Sequence, residues 1–383
     1  MYFDLAPKSK RSDLYDFDDQ FDELMGILQE KREAAPIIVI KGKRRTGKTS
    51  LIKTTLNESN LPYLFIDGGA FADMPVIKKR DLLKEIERGL NITMEKEKGL
   101  RKTIAAVLKG VTWVKLDSKP PFIHFEWRKP TKTLNPLDLI YSLDRAAKEN
   151  KTKFILVLDE AQEFRRLAGY RLQNLIAHTY DHIEGVQIIV SGSQIGLLND
   201  FLGTDDPDSP LYGRGTADIS APRISSDLAA DFLQKGASQV GVKLDREVVA
   251  PVIERLDGII GWLTFFGNKV RRGTSVKDAL NRAIEGGSKL GAKEFYNFLK
   301  VRRDQGRRRY VSLLKTVVQL ENAKWSELKE RLEIQEKKTI ANNVFSDLLK
   351  NLVDADFLDR KDPGLYSISD PIFLHAVRTD IAR

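Results

Sequence analysis

Residues 36–55 read PIIVIKGKRRTGKTSLIKTT, and they decide the fold. The apolar run from Pro36 to Gly42 reads as a buried strand ending in a turn, and Lys48 to Thr55 as a helix. Between them, Gly42-Lys43-Arg44-Arg45-Thr46-Gly47-Lys48-Thr49 matches G-x-x-x-x-G-K-T at every position. The glycines let backbone N–H groups curl around a phosphate, and the helix N-terminus adds unpaired donors. Lys48 supplies charge to β- and γ-phosphates, and the Thr49 hydroxyl suits magnesium. Gly42 to Thr49, with Ser50, is therefore the expected nucleotide-binding set, for ATP or ADP with Mg2+. The side chains of Lys43, Arg44 and Arg45 are expected to face solvent rather than read a base.

Such a loop works only with carboxylates on a neighbouring strand. Phe154 to Leu158 is the strongest strand signal in the chain and runs into Asp159-Glu160. Asp159 is expected at the metal beside Thr49, and Glu160 as the group that polarises an attacking water. An acidic pair after a strand is common by itself; the complete loop upstream favours the functional reading. Asp67 also ends a strand, Tyr63 to Asp67, and reads as a supporting carboxylate or a cap. A further apolar strand, Val186 to Val190, leads into Ser191-Gly192-Ser193-Gln194. These hydroxyls suit a γ-phosphate or its nucleophile, and equally suit capping the next helix. Arg214, in Leu211-Tyr212-Gly213-Arg214, has two readings. As an arginine finger it would approach a phosphate in its own site or a neighbour's; otherwise it is a surface arginine. Lys48, Glu160, Ser193 and Arg214 are the catalytic candidates.

Helical patterns separate these strands: Phe17 to Glu30, Val76 to Glu87, Leu100 to Gly110, one beginning near Pro136, and Leu172 to Tyr180. Pro121 to Trp127 reads as a further strand. Alternation of this kind predicts an α/β fold, a parallel sheet with helices on both faces. Asp200 to Arg223 reads as loop with one short strand. Glycine-punctuated helices follow: Ser226 to Lys235, Glu247 to Leu256, Trp262 to Val270, Val276 to Gly286 and Ala292 to Arg302. Then come three more, Val311 to Leu320, Trp325 to Leu332 and Thr339 to Leu352. Two strands around Asp362-Pro363-Gly364 complete the outline of a winged helix. The expected division is a core at 1–222, a helical lid at 223–305 and a winged helix at 306–383.

An apolar share of 42% with 31% charged residues describes a soluble globular chain of 383 residues, long enough for two or three domains. The absence of cysteine excludes disulfides and thiolate metal clusters. No apolar run approaches a membrane span or a secretion signal, so a cytoplasmic protein without membrane contact is expected. The net charge of +9 favours an anionic partner without naming it. From Lys293 to Lys315, eight basic residues face two acidic ones. Arg302, Arg303, Arg307, Arg308 and Arg309 are the candidates for phosphate contacts on double-stranded DNA. Against this, the third helix of the winged helix offers only Asn342 and Asn343 as base readers, so a protein partner remains open. Oligomer formation is open too.

The ordered set GKRRTGKTS, FILVLDEAQ, IIVSGSQIGLL, LYGR and YSISDPIF resembles the archaeal ATPase family. That family is a branch of the AAA+ and STAND-type P-loop NTPases related to origin-recognition initiators. The resemblance spans about residues 15 to 380. It implies an AAA+-type core, a helical lid and a C-terminal winged helix moved by ATP binding and hydrolysis. It assigns Lys48 and Thr49 to Walker A, Asp159 and Glu160 to Walker B, and Ser193, before Ser191, to sensor 1. Arg214 matches the family's Gly-Arg. Two departures stand out. In Tyr15-Asp16-Phe17, phenylalanine replaces the usual arginine, so Phe17 either packs on adenine or is core. In Gly258-Ile259-Ile260-Gly261-Trp262, glycine replaces the usual lid proline, and no sensor-2 arginine stands out. A DNA-associated adaptor with a structural nucleotide and negligible turnover, and a protein-interaction regulator, are the rival readings; a small-molecule kinase fits the winged C-terminal part poorly.

Overall fold

The computed structural model describes residues 1–30, 36–96, 101–109, 114–126, 135–300, 302–362 and 364–381. Leu100, Gly110, Val111, Trp127 and Pro363, which the sequence places in or beside elements, lie outside them, and so does the side chain of Val107.

The strands of the first two-thirds are β1 (Ile37–Lys41), β2 (Tyr63–Asp67), β3 (Ile77–Lys78), β4 (Val114–Leu116), β5 (Ile123–Phe125), β6 (Phe154–Asp159), β7 (Leu167–Ala168), β8 (Val186–Gly192) and β9 (Thr216–Ser220). Five of them form one parallel sheet in the order β2-β6-β8-β1-β9. The central three are apolar because helices cover both faces, and β6 and β8 are buried along their whole length. The expected strand at Pro121 to Trp127 is not part of this sheet. Its described portion, β5, pairs antiparallel with β4 in a separate two-stranded ribbon. The flanking helices are α1 (Asp18–Gln29), α2 (Lys48–Ser59), α3 (Lys79–Lys96), α4 (Arg101–Leu108), α5 (Pro136–Glu149), α6 (Leu172–His182) and α7 (Ile195–Leu202). Asn135 caps α5 by accepting from the Leu137 N–H at 3.2 Å.

The lid consists of α8 (Ser226–Ser238), α9 (Arg246–Leu256), α10 (Ile260–Arg271) and α11 (Val276–Lys300). The last is one helix of 25 residues, where the sequence suggests two separated at Gly286-Gly287. These glycines do not break it. A Cβ on Gly287 would lie 2.5 Å from Ile372 Cγ2 and 3.0 Å from the Trp262 ring, so the position is small because neighbours press on it. An N-terminal strap crosses the lid as well. Phe3 is fully buried, and a Cβ on Gly236 or Gly267 would come within 2.4 Å of its ring. Asn268 Nδ2 donates to Phe3 O at 2.8 Å. A few residues on, the Lys8 N–H donates to Ser50 Oγ at 3.1 Å, tying the strap to α2.

The C-terminal part contains α12 (Asp304–Leu320), β10 (Ala323–Lys324), α13 (Trp325–Glu336), α14 (Asn342–Asp354), β11 (Leu358–Asp362), β12 (Leu365–Ile368) and α15 (Pro371–Ala376). Three helices and the antiparallel sheet β10-β12-β11 make a winged helix. α12 begins seven residues before the expected start at Val311 and takes in the basic run. Ala292, Phe295 and Leu299 of α11 are buried in the winged-helix core, so α11 belongs to both bodies. Among the described residues, no helix is long and apolar enough to cross a membrane.

Candidate nucleotide site

The loop between β1 and α2 lies at the C-terminal edge of the sheet, where strand order reverses and α/β ligands are commonly held. Gly47, at φ 103°, turns the chain into α2. Lys48 is buried, and its Nζ donates to Gly42 O and Lys43 O, both at 2.8 Å. Burial pulls this ammonium below its ordinary range, against the attraction of Glu160 and Asp159.

Parallel register carries the partners to the same edge. Thr49 Oγ1 donates to Asp159 Oδ2 at 2.8 Å, and the Ser191 hydroxyl donates to Asp159 Oδ1. Burial, helped by the neighbouring Glu160 charge, pushes the Asp159 carboxyl up against these two hydrogen bonds. Glu160 adopts a left-handed backbone, φ 49°, which turns its side chain along the edge. Its Oε2 accepts from Ser193 Oγ (2.6 Å), Ser193 N–H (3.1 Å) and Gln162 Nε2 (2.6 Å). Burial acts to raise this carboxyl, but Lys48 and the bonds from Ser193 and Gln162 outweigh it and hold it below the usual range. Gln162 was not legible as a site residue, because a glutamine after Asp-Glu-Ala carries no spacing signal. Asp67, opposite Asp159 in the β2–β6 register, accepts from the Gly69 N–H at 2.8 Å, which is a capping role.

Hydroxyl and carboxylate oxygens at Thr49 and Asp159 are hard donors of the kind magnesium takes, so the residues fit that ion. Phe17 is buried, and its ring would lie 3.0 Å from a Cβ on Gly47. The aromatic therefore packs on the phosphate loop itself. Ile260 of the lid also lies close, at 3.7 Å from that Cβ position.

Lys43 and Arg44 are half-buried rather than facing open solvent as the sequence suggested, while Arg45 is exposed. Lys43 Nζ lies 2.6 Å from Asp359 and 3.4 Å from Asp356 in the winged helix. Arg44 pairs with Glu294 of α11 at 2.7 Å. Arg45 stacks on Trp262, 3.9 Å from the ring centroid, and its carbonyl accepts from the Gly261 N–H at 2.9 Å. Thr46 closes the loop by donating to Lys43 O at 2.9 Å.

Arg214 is a correction of another kind. Gly215 O accepts from Ile37 N–H at the start of β1, whereas Ala221, past the end of β9, bonds beside Gly42. Arg214 thus lies one strand length, about 16 Å, from its own phosphate loop. It pairs with Asp181 and donates to Pro210 O. The own-site role is not served by this geometry.

The basic candidates are also partly spoken for. Arg309 grips Glu336 with two bonds of 2.6 and 2.5 Å. Arg307 donates to Leu299 O and Lys300 O, both at 3.0 Å, and Arg302 lies over Phe298 at 3.4 Å. Arg303 and Arg308 are exposed. The last turn of α14 rests on the core: a Cβ on Gly196 would be 2.5 Å from Asp354 Cα, and Gln194 Nε2 donates to Ala355 O at 3.1 Å.

Comparison with known proteins agrees with this architecture. Residues 17–264 match the family model described as an ATPase domain predominantly from Archaea. Residues 304–369 match the C-terminal winged helix-turn-helix domain of MCM proteins. Among solved structures, the Walker-type ATPase of Pyrococcus abyssi is similar over 99% of this chain and 100% of that one, with 28% identity and a TM-score of 0.80. The Aeropyrum pernix ORC2 protein shares the fold at 13% identity, over 100% of this chain and 97% of that one, with a TM-score of 0.60. No curated protein matches. The fold expected from the ordered motifs, a P-loop core with lid and winged helix, is the one observed. With its family model covering most of the core and part of the lid, the chain belongs to the ATPase-domain family found predominantly in Archaea.

Proposed function

We propose that the protein is a magnesium-dependent ATPase whose nucleotide cycle re-orients core, lid and winged helix. The observation that carries this is the Thr49–Asp159 bond at 2.8 Å, with Glu160 held beside it by Ser193. The Pyrococcus abyssi neighbour is described as a Walker-type ATPase, and the Aeropyrum pernix structure as ADPNP–ADP complexes. Both descriptions support the reading.

The chain's own groups suit the task. Lys48 brings positive charge to the β- and γ-phosphates. Glu160, kept ionised, presents Oε1 to take the proton of an attacking water, while Oε2 is occupied by Ser193 and Gln162. Phe17 and Ile260 pack at Gly47 and brace the loop. Magnesium between Thr49 and Asp159 would neutralise charge building on the phosphate oxygens. Arg214, remote from its own site, suits a neighbouring subunit's phosphates in an oligomer. Phosphate release from ATP, measured with Mg2+ for wild type and Lys48→Ala, tests the reading. Equal rates for both proteins would overturn it.

A second reading concerns the partner. Lys337, Lys338, Asn342, Asn343, Arg360 and Lys361 are exposed on one helix–turn–helix and wing, which suits double-stranded DNA contacted mainly through phosphates. Duplex binding that weakens steeply with salt would support it; no binding at low salt would turn the search to a protein partner.

A further inference from the structure

We propose that Arg44 distinguishes a nucleoside triphosphate from a diphosphate, and that Glu294 of the lid holds it in reserve until a γ-phosphate replaces the carboxylate. This rests on the nucleotide reading above and goes beyond it, since Arg44 occupies a variable position of the phosphate loop and Glu294 lies outside every motif.

Arg44 stands two residues after Gly42, yet its side chain turns away from solvent. Its guanidinium is half-buried and meets Glu294 Oε2 at 2.7 Å, with the Phe357 ring 5.8 Å away. Both partners line a chamber of about 650 Å³ between core, lid and winged helix. Glu160, Ser193 and Gln194 line the same chamber. Arg44 therefore projects toward the side of the loop where water would be activated, which is the γ-phosphate side. Burial works against the Arg44 charge, and Glu294, Asp356 and Glu160 together keep it up.

Other cations reach the chamber, but they are otherwise engaged: Lys43 with Asp359, Arg45 with the Trp262 ring and Arg302 with the Phe298 ring. Arg165 pairs with Asp200 at 3.3 Å, Arg166 with Glu163 and the Phe71 carbonyl, and Arg223 with Asp257. Only one charged residue of α10 and α11 lines the chamber among the described residues, and it is the acid Glu294. The lid thus brings a carboxylate where a phosphate-sensing cation would be needed. The cation comes from the phosphate loop instead. Arg44 also follows Lys43, whose carbonyl holds the Lys48 ammonium, so it moves with the loop that grips the phosphates.

One guanidinium cannot serve both anions with its full fork of donors. A terminal phosphate, carrying more charge than a carboxylate, is the stronger partner. Exchange would release α11 from the loop. Because Phe295 and Leu299 of α11 are buried in the winged-helix core, that release is felt in the C-terminal body. Burial raises the Glu294 carboxyl and Arg44 only partly offsets this, so the pair is poorly suited to resist a competitor.

Linkage then fixes the sign of the test: removing the Glu294 charge while keeping Arg44 strengthens triphosphate binding. Calorimetry on the full chain with Mg2+ would use the β,γ-imido analogue of ATP and, separately, ADP. Glu294→Gln is expected to tighten the analogue by roughly five- to tenfold and to leave ADP within about twofold. A gain of affinity cannot arise from misfolding. Arg44→Ala is expected to weaken the analogue by a similar factor, with ADP binding as the control for folding. An unchanged or weaker analogue affinity in Glu294→Gln, or equal shifts for both nucleotides, overturns the inference while the nucleotide reading stands. Wild-type protein that binds neither nucleotide removes both.

Discussion

The backbone N–H of Gly261 in the lid donates to the carbonyl oxygen of Arg45 in the phosphate loop, at 2.9 Å. Gly261 stands where the family resemblance leads one to expect proline, which has no N–H to give. The departure therefore leaves lid and loop in direct contact. A Cβ at this position would sit 2.7 Å from Arg45 Cβ and 2.9 Å from Arg45 O, so glycine also permits the approach. Gly261→Pro should lose the bond and force the two segments apart, costing about 1–3 kcal/mol. A thermal midpoint equal to wild type would contradict this.

Glu160→Gln should keep nucleotide affinity while lowering turnover by about a hundredfold or more. Ser193→Ala, which removes the 2.6 Å bond to Glu160 but leaves the carboxylate, should give a smaller loss. Phosphate-release rates beside equilibrium binding would separate the two effects, and equal losses would deny Glu160 the leading role.

Gly196→Val should dislodge the winged helix from the core, because even a Cβ there would lie 2.3 Å from Asp354 Oδ1 and 2.5 Å from Asp354 Cα. The expected signature is a larger radius of gyration by small-angle scattering with unchanged helix content. An unchanged radius would mean that the contact yields locally.

Phe3→Ala should leave a cavity among the lid helices and cost about 3–5 kcal/mol. Gly236 and Gly267 make room for that ring, and an alanine would not fill it. The check is the thermal midpoint of the full chain.

Asp356 supplies a pH signature. Burial pushes its carboxyl up to about 6, opposed by Lys43 and Arg44. With the folded pKa above the unfolded value of 3.8, the folded state binds the proton first. Its contribution to stability therefore rises as pH falls from about 6 to about 4, by at most about 3 kcal/mol. Asp356→Asn should flatten that part of the stability curve; an identical curve would show that Asp356 does not titrate there.

The sheet was readable because its strands are apolar runs that stop at polar residues. IIVIK, YLFID, FILVLD and VQIIVSG end at or beside the groups that gather on one edge. Thr49, Asp159, Glu160 and Ser193 were readable for the same reason, since parallel register brings strand ends together. The contacts of Lys43, Arg44 and Arg45 were not. A charged side chain defaults to the surface in any one-dimensional reading, and the acidic partners of Lys43 and Arg44 lie more than 240 residues away. Gly286-Gly287 misled because a glycine pair signals a break unless one knows that Trp262 and Ile372 press against the helix. The strap around Phe3 has no periodicity at all, so nothing announced it.

The seating of Asp354 on Gly196 limits the footprint available on any nucleic-acid helix. With the end of α14 pressed to the core, its opening turns, around Asn342 and Asn343, stay exposed. On the DNA reading proposed above, a duplex would meet these turns together with the wing and not the last turn of α14. Broader coverage would require the core to step aside, so on that reading the length of protected DNA would measure how far the two bodies have separated.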